Sequence, residues 1–227
     1  MNVNNSITLS PAGALALAGG LSLALAQYFI WIYAPVEATM GLVQKIFYLH
    51  LPVAWWGLIC FFIVFCASIG FLLRRSPGMD QLAVSAAEIG LLYSTLALAT
   101  GSLWARVSWN TWWTWDPRLS TALIMWFIYA GYLVLRQSIE NRRKMRMVAA
   151  VLGVVAFLNV PLVFLSARMW RSIHPAVFAA EEGGLEPEML IAVIVCVAAL
   201  GLLTAGLLLF RFRQRNMQDR VRDLYIQ

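Results

Sequence analysis

The sequence predicts an all-α integral membrane protein with six transmembrane helices and both termini on the cytoplasmic side. Three observations carry that prediction. The 227-residue chain is 61% hydrophobic, with a mean hydropathy of +0.74. Charged residues make up only 12%, about half the share of an ordinary soluble domain, so they are too few to coat a soluble surface of this size. The apolar residues also fall into six runs of the roughly 20 residues that a helix rising about 1.5 Å per residue needs to cross a bilayer.

The runs extend over Ala12–Trp31, Pro52–Leu73, Leu82–Leu103, Leu119–Leu135, Met147–Ser166 and Met189–Phe210. None shows the period-2 alternation of a membrane barrel, so each is read as a helix. In the first, Ala24-Leu25-Ala26 resembles a signal-peptide cleavage site, but the preceding segment lacks the basic start of a signal peptide and reads as a retained span. Pro52 suits the first turn of the second helix, where its missing N–H costs nothing. In the fifth, Pro161 predicts a kink, with Asn159 placed to bond the backbone that the kink frees. Glu88, in the third run toward its cytoplasmic end, is expected to pair helices or meet a partner subunit. Cys60, Cys66 and Cys196 lie in apolar runs and are expected as buried thiols, with no disulfide framework. With no repeat, linker or nucleotide-binding P-loop, residues 1–227 are expected to form a single six-helix membrane domain.

The formal net charge is +6 and the pI about 9.6. The basic residues sit in short runs between the apolar stretches, a pattern of membrane topology and not of nucleic-acid binding. Arg74 and Arg75, the run Arg136 to Arg146, and a tail from Arg211 to Arg222 place twelve cations on one side. Lys45, Arg106, Arg118, Arg168 and Arg171 make five on the other. The positive-inside rule puts the first side in the cytoplasm, so loops 32–51, 104–118 and 167–188 face out.

Residues 104–118 hold five of the ten tryptophans: Trp104, Trp109, Trp112, Trp113 and Trp115. An interfacial anchor belt should occupy both membrane faces. Here Trp31, Trp55, Trp56 and Trp170 also lie near the outer side, Trp126 lies within a helix, and the cytoplasmic boundaries have none. Indole faces offer flat, rigid apolar area with donor edges, which suits a platform for a planar macrocycle. A lipid, a quinone or a partner helix would also fit such a surface.

Both histidines, His50 and His174, fall in outer loops. His50 is expected just ahead of the helix opening at Pro52, where the helix N-terminus favours the neutral, metal-binding ring. Two neutral imidazoles can fill both axial positions of a heme iron, whereas two histidines alone leave a zinc site short of ligands. Heme carries carboxylates, and Arg118 at the foot of the tryptophan run is the first candidate to fork onto one, with Lys45, Arg106 and Arg171 also on this face. Asp116 is expected to act structurally, by pairing Arg118, holding the turn before Pro117 or capping the fourth helix.

Trp112-Trp113-Thr114-Trp115-Asp116-Pro117-Arg118 resembles the WWD signature of heme-handling proteins. Lys45-Ile-Phe-Tyr-Leu-His50-Leu-Pro52 and Arg171-Ser-Ile-His174-Pro175 resemble the two histidine motifs of the heme exporter protein C family (CcmC). The resemblance covers nearly the whole chain. It implies a bacterial inner-membrane protein whose WWD loop, between helices 3 and 4, lies in the periplasm. It further implies a non-covalent, transient heme b between that loop and the histidines, with His50 and His174 as axial ligands. Trp109, Trp112, Trp113, Trp115 and Asp116 would build the platform and Arg118 would meet a propionate. The partners implied are the heme chaperone CcmE, which receives heme for c-type cytochrome maturation, and CcmA, CcmB and CcmD, with ATP hydrolysis in a partner subunit.

Two alternatives belong to other classes. A cytochrome c heme lyase of the larger WWD type would be an enzyme, but those proteins resemble a longer pattern with an additional histidine pair. An electron-transfer subunit with permanent heme b usually clamps it between histidines deep in the spans, and this chain has none there.

Overall fold

The computed structural model describes residues 10–170 and 185–225. It contains seven α-helices among these residues: α1 (Pro11–Tyr28), α2 (Phe47–Arg74), α3 (Pro77–Trp109), α4 (Pro117–Ser138), α5 (Arg142–Ala156), α6 (Asn159–Met169) and α7 (Pro187–Tyr225). A π-helical turn, Phe29–Tyr33, continues α1, and a 3-10 turn, Leu42–Ile46, leads into α2. Together they make six helical segments long and apolar enough to span a membrane, with α5 and α6 forming the fifth. Four helices open on a proline, Pro11, Pro77, Pro117 and Pro187. There the preset φ suits the first turn and the missing N–H would have no helical partner anyway.

Three expectations need correction. Pro52 is not in the first turn: α2 begins at Phe47, which makes Pro52 its sixth residue and leaves the Tyr48 carbonyl without an i+4 donor. The fifth span does not merely kink but breaks. α5 ends at Ala156, Leu158 N–H turns back to Val155 O (3.1 Å), and Val160 N–H takes Phe157 O (2.9 Å), the carbonyl that Pro161 cannot serve. The Asn159 side chain turns to the neighbouring helix instead: its Nδ2 donates to Thr121 O of α4 at 2.9 Å, tying the break to α4. Cys66 is exposed, while Cys60 and Cys196 are buried, and all three are free thiols.

Packing is dominated by the α2–α3 and α1–α7 pairs. Gly19 of α1 and Gly206 of α7 let two backbones touch. A Cβ on Gly19 would lie 2.3 Å from Leu203 N, and one on Gly206 would lie 2.4 Å from Ala16 N, which nothing but glycine permits. Phe61 of α2 stacks on Tyr129 of α4 with ring centroids 3.6 Å apart, at the centre of the largest buried cluster. The outer faces of α1 and α2 expose Leu21, Leu25 and Phe62, as lipid contact requires.

At the Arg-rich end, ion pairs join helices. Asp80 of α3 receives Arg136 of α4 through both guanidinium nitrogens (2.6 and 2.8 Å), with Arg146 Nε of α5 at 3.2 Å. Asp219 of α7 takes Arg146 (2.7 Å), Arg142 and Gln81. Glu88 bonds Arg211 of α7 through two nitrogens (2.6 and 2.9 Å) and also Arg215, so it pairs helices as expected.

Candidate functional site

The tryptophan segment is not one loop. Hydropathy fades after Leu103, but α3 runs on to Trp109. Trp104, Arg106 and Trp109 are therefore helical, and only residues 110–116 connect α3 to α4. The turn out of α3 is set by Asn110, at φ 54°. Arg106 Nη1 donates to Asn110 O (2.9 Å) and Asn110 Oδ1 (2.7 Å), a cation over the last carbonyls of the helix. Its guanidinium also lies 5.9 Å from the Trp112 ring. At the other end of the connection Asp116, buried, accepts the Arg118 N–H through Oδ1 (2.9 Å), and Ser120 N–H bonds Asp116 O (2.9 Å). Asp116 is thus the N-cap of α4, one of the structural roles expected of it.

His50 lies four residues into α2, behind the 3-10 turn, so the helix N-terminus expected beside it belongs to an earlier part of the chain. Its setting comes from α3 instead. Thr100 Oγ1 donates its proton to Leu96 O (2.7 Å), with Ala97 O at 3.2 Å. With that proton spent, Thr100 Oγ1 can only accept from His50 Nδ1–H, 2.9 Å away. The Ala97 carbonyl, another acceptor, also acts on the ring. These acceptors favour the tautomer protonated at Nδ1, in which Nε2 carries the lone pair that a metal would take. Gly101 gives the ring its room, since a Cβ there would stand 3.2 Å from His50 Cε1. Trp104, one turn beyond Thr100 on the same face, meets the imidazole edge-on at 6.2 Å.

The indoles divide into two groups. Trp112 and Trp115 are 58% and 78% exposed and form an open surface, with Trp113 edge-on to Trp115 at 6.0 Å. Trp113 Nε1 is buried with no hydrogen-bond partner among the described residues. Trp109 is half-buried at the end of α3. Trp104, set among the platform candidates from the sequence, is 8% exposed and packs on Phe47 (6.0 Å), so it supports His50 from inside.

The cations separate in the same way. Arg118, half-buried at the start of α4, is close enough for its charge to act on His50. Lys45 departs from the expectation of a ligand-facing cation. It is 3% exposed, and its Nζ donates to Ile30 O and Ala34 O, both at 2.6 Å, closing the end of the first span. His174 and Arg171 lie outside the described residues.

Sequence reading missed Thr100, Gly101 and the turn of Glu37–Gly41. Thr100 and Trp104 share a helix face at i, i+4, the one signal available for them. In the turn, Gly41 adopts φ 62° and its N–H bonds Glu37 O (2.9 Å), while the Glu37 carboxylate accepts the N–H groups of Thr39 (2.9 Å) and Met40. Those bonds hold its carboxyl below the usual range. Met40 Sδ, so placed, accepts Trp104 Nε1–H at 3.4 Å. A chain of contacts therefore runs from Glu37 through Met40 and Trp104 to His50.

Comparison with known proteins adds to this geometry. The family described as heme exporter protein C matches residues 4–227. A heme exporter protein C of Bradyrhizobium diazoefficiens is 35% identical over 193 residues, covering 84% of this chain and 73% of its own length. That of Escherichia coli is 31% identical over 201 residues, covering 88% and 81%. A putative cytochrome c biosynthesis ccmC-like mitochondrial protein of Marchantia polymorpha is 31% identical over 193 residues, covering 84% and 82%.

Proposed function

The chain belongs to the heme exporter protein C family, and on that premise we propose that it takes heme as cargo at the tryptophan loop and passes it on for cytochrome c assembly. The observation that carries this reading is the His50–Thr100 pair, which favours Nε2 as the ligating nitrogen, at the end of the bundle that also presents the exposed indoles of Trp112 and Trp115.

His50 supplies one axial ligand and His174 the other. Trp112, Trp113 and Trp115, flanked by Trp109, give the flat apolar face, and the buried Trp113 N–H offers a donor at its edge. Arg118, whose charge acts on His50, is the propionate fork, with Arg106 and Arg171 as the further cations of the outer loops. Trp104, Lys45 and Asp116 hold this arrangement in place. Neutral imidazole ligands release iron by simple ligand exchange, which suits heme b held without covalent attachment and only in passing. The chain then acts as a delivery subunit and not an enzyme.

In this reading the protein lies in the bacterial inner membrane with the loop on the periplasmic side, as the excess of cations at the opposite end favours. Heme goes to the chaperone CcmE. CcmA, CcmB and CcmD complete the complex, and ATP is hydrolysed in a partner subunit. The test is the absorption spectrum of the chain purified from heme-replete cells in mild detergent. Sharp low-spin α and β bands on reduction are expected, altered in His50→Ala and in His174→Ala. Unchanged spectra and normal chaperone loading in both variants would sink the bis-histidine site.

A further inference from the structure

A cavity of about 850 Å³ opens at the Arg-rich end, opposite the tryptophan loop, where the ends of α2 and α7 meet the starts of α3 and α5. Five guanidiniums line it against one carboxylate, Asp219. That carboxylate is already shared by Arg142 and Arg146. Arg75, Arg143 and Arg220 are exposed on the rim and have no acidic partner among the described residues. Among the described residues the cleft therefore carries an excess of positive charge.

Its floor has the opposite character. Phe71 lies one helical turn, about 5.4 Å, inside the end of α2, where its carbonyl accepts the Arg75 N–H at 2.8 Å, and Met147 opens the apolar part of α5 one turn beyond Arg143. Pro77, exposed at the start of α3, adds apolar lining at the mouth. Guanidiniums above and apolar side chains one turn below match the phosphate and the glycerol–acyl junction of a phospholipid. The end itself is the one that the charge rule assigns to the anionic cytoplasmic leaflet. The volume exceeds what a single phosphate fills and lies within the range of small-molecule sites.

We propose that this cleft binds the phosphate headgroup of an anionic phospholipid, with Arg75, Arg143 and Arg220 forking onto phosphate oxygens. These arginines lie outside the ion-pair network that joins the helices, so they can be changed without breaking it.

The test is native mass spectrometry of the full chain in detergent, with an equal mixture of phosphatidylglycerol and phosphatidylcholine of the same acyl chains. Wild type retains phosphatidylglycerol preferentially. Replacing the three rim arginines together (R75Q/R143Q/R220Q) lowers that preference, on the order of 100-fold if each guanidinium loses a charge-assisted contact to phosphate. The matched change K144Q/R213Q/R222Q removes the same charge from exposed positions that do not line the cleft and leaves the preference intact, with helical circular dichroism confirming the fold of both. Equal loss in both triple variants, or no preference in wild type, would overturn the proposal. Displacement of the lipid by equimolar inorganic phosphate would overturn the lipid in favour of free phosphate.

Discussion

Thr100 Oγ1 lies 2.9 Å from His50 Nδ1 and sends its own proton to Leu96 O, so a hydroxyl on α3, together with the Ala97 carbonyl, favours the tautomer of an α2 imidazole that carries its proton on Nδ1. Thr100→Val keeps the shape and removes the acceptor. The ring can then adopt the other tautomer or turn. Partners of this kind change metal affinity by roughly 10–100-fold, and a loss of heme affinity in that range is expected from titration followed at the Soret band. Thr100→Ser should restore it. Equal heme affinity in the valine variant would mean that the Ala97 carbonyl and the packing of Gly101 and Trp104 suffice to orient His50.

Lys45 is expected to act on stability and not on heme. Its ammonium serves two carbonyls at the end of the first span, Ile30 O and Ala34 O. Lys45→Met fills the same space and leaves both unpaired, at about 1–3 kcal/mol for a buried polar group left without its partner. Unfolding of the detergent-solubilised chain should shift by that amount, with heme affinity of the folded fraction unchanged. A heme-affinity loss at unchanged stability would return Lys45 to the ligand.

What was legible in the sequence was whatever depends on local composition. The six spans and the charge bias are such properties, because lipid contact demands a continuous apolar run and the flanking cations are counted where they stand. Hydropathy marks the bilayer core, however, not the helix. It ended the third span at Leu103 and the sixth at Phe210, whereas α3 reaches Trp109 and α7 reaches Tyr225. That difference decides which indoles belong to the helix and which to the connection. Composition also cannot separate residues of one type by role. Trp104 is packed within and Trp115 stands open, and Lys45 is buried while Arg106 is exposed, according to partners distant in sequence. Glu88 was readable as a helix-pairing carboxylate because few other roles tolerate a charge at that depth. Thr100 was not, because its importance rests on a histidine fifty positions away.

Asp80 concentrates the ion pairs at the opposite end. Its side chain is 2% exposed and that of Arg136 8%. Asp80→Asn keeps the volume but leaves Arg136 buried without its counter-charge, and removing one member of a buried pair costs about 3–5 kcal/mol. A denaturant titration should show a loss of that order. Arg136→Gln combined with Asp80→Asn should recover part of it, since the stranded charge is then gone. A single-variant loss below about 1 kcal/mol would indicate that solvent reaches the pair as at an open surface.

Glu37 gives the loop side a pH dependence of known sign. Its carboxylate accepts the Met40 and Thr39 N–H groups, and these bonds hold its pKa below the ordinary 4.5. A depressed folded pKa means that the anion's bonds are fully present above 4.5 and are lost as pH falls through the lower folded value. The group is exposed, so the expected effect is local: protection of the Met40 amide from hydrogen exchange, constant above that pH, declines below it. Glu37→Gln retains an acceptor that does not titrate, so protection in that variant should stay level across the same window. Because Met40 Sδ receives the Trp104 N–H and Trp104 packs against His50, the loss should also reach the imidazole. In wild type, and not in Glu37→Gln, the His50 ring resonances should broaden over the same pH interval. An identical decline of Met40 protection in both proteins would place the titrating group elsewhere.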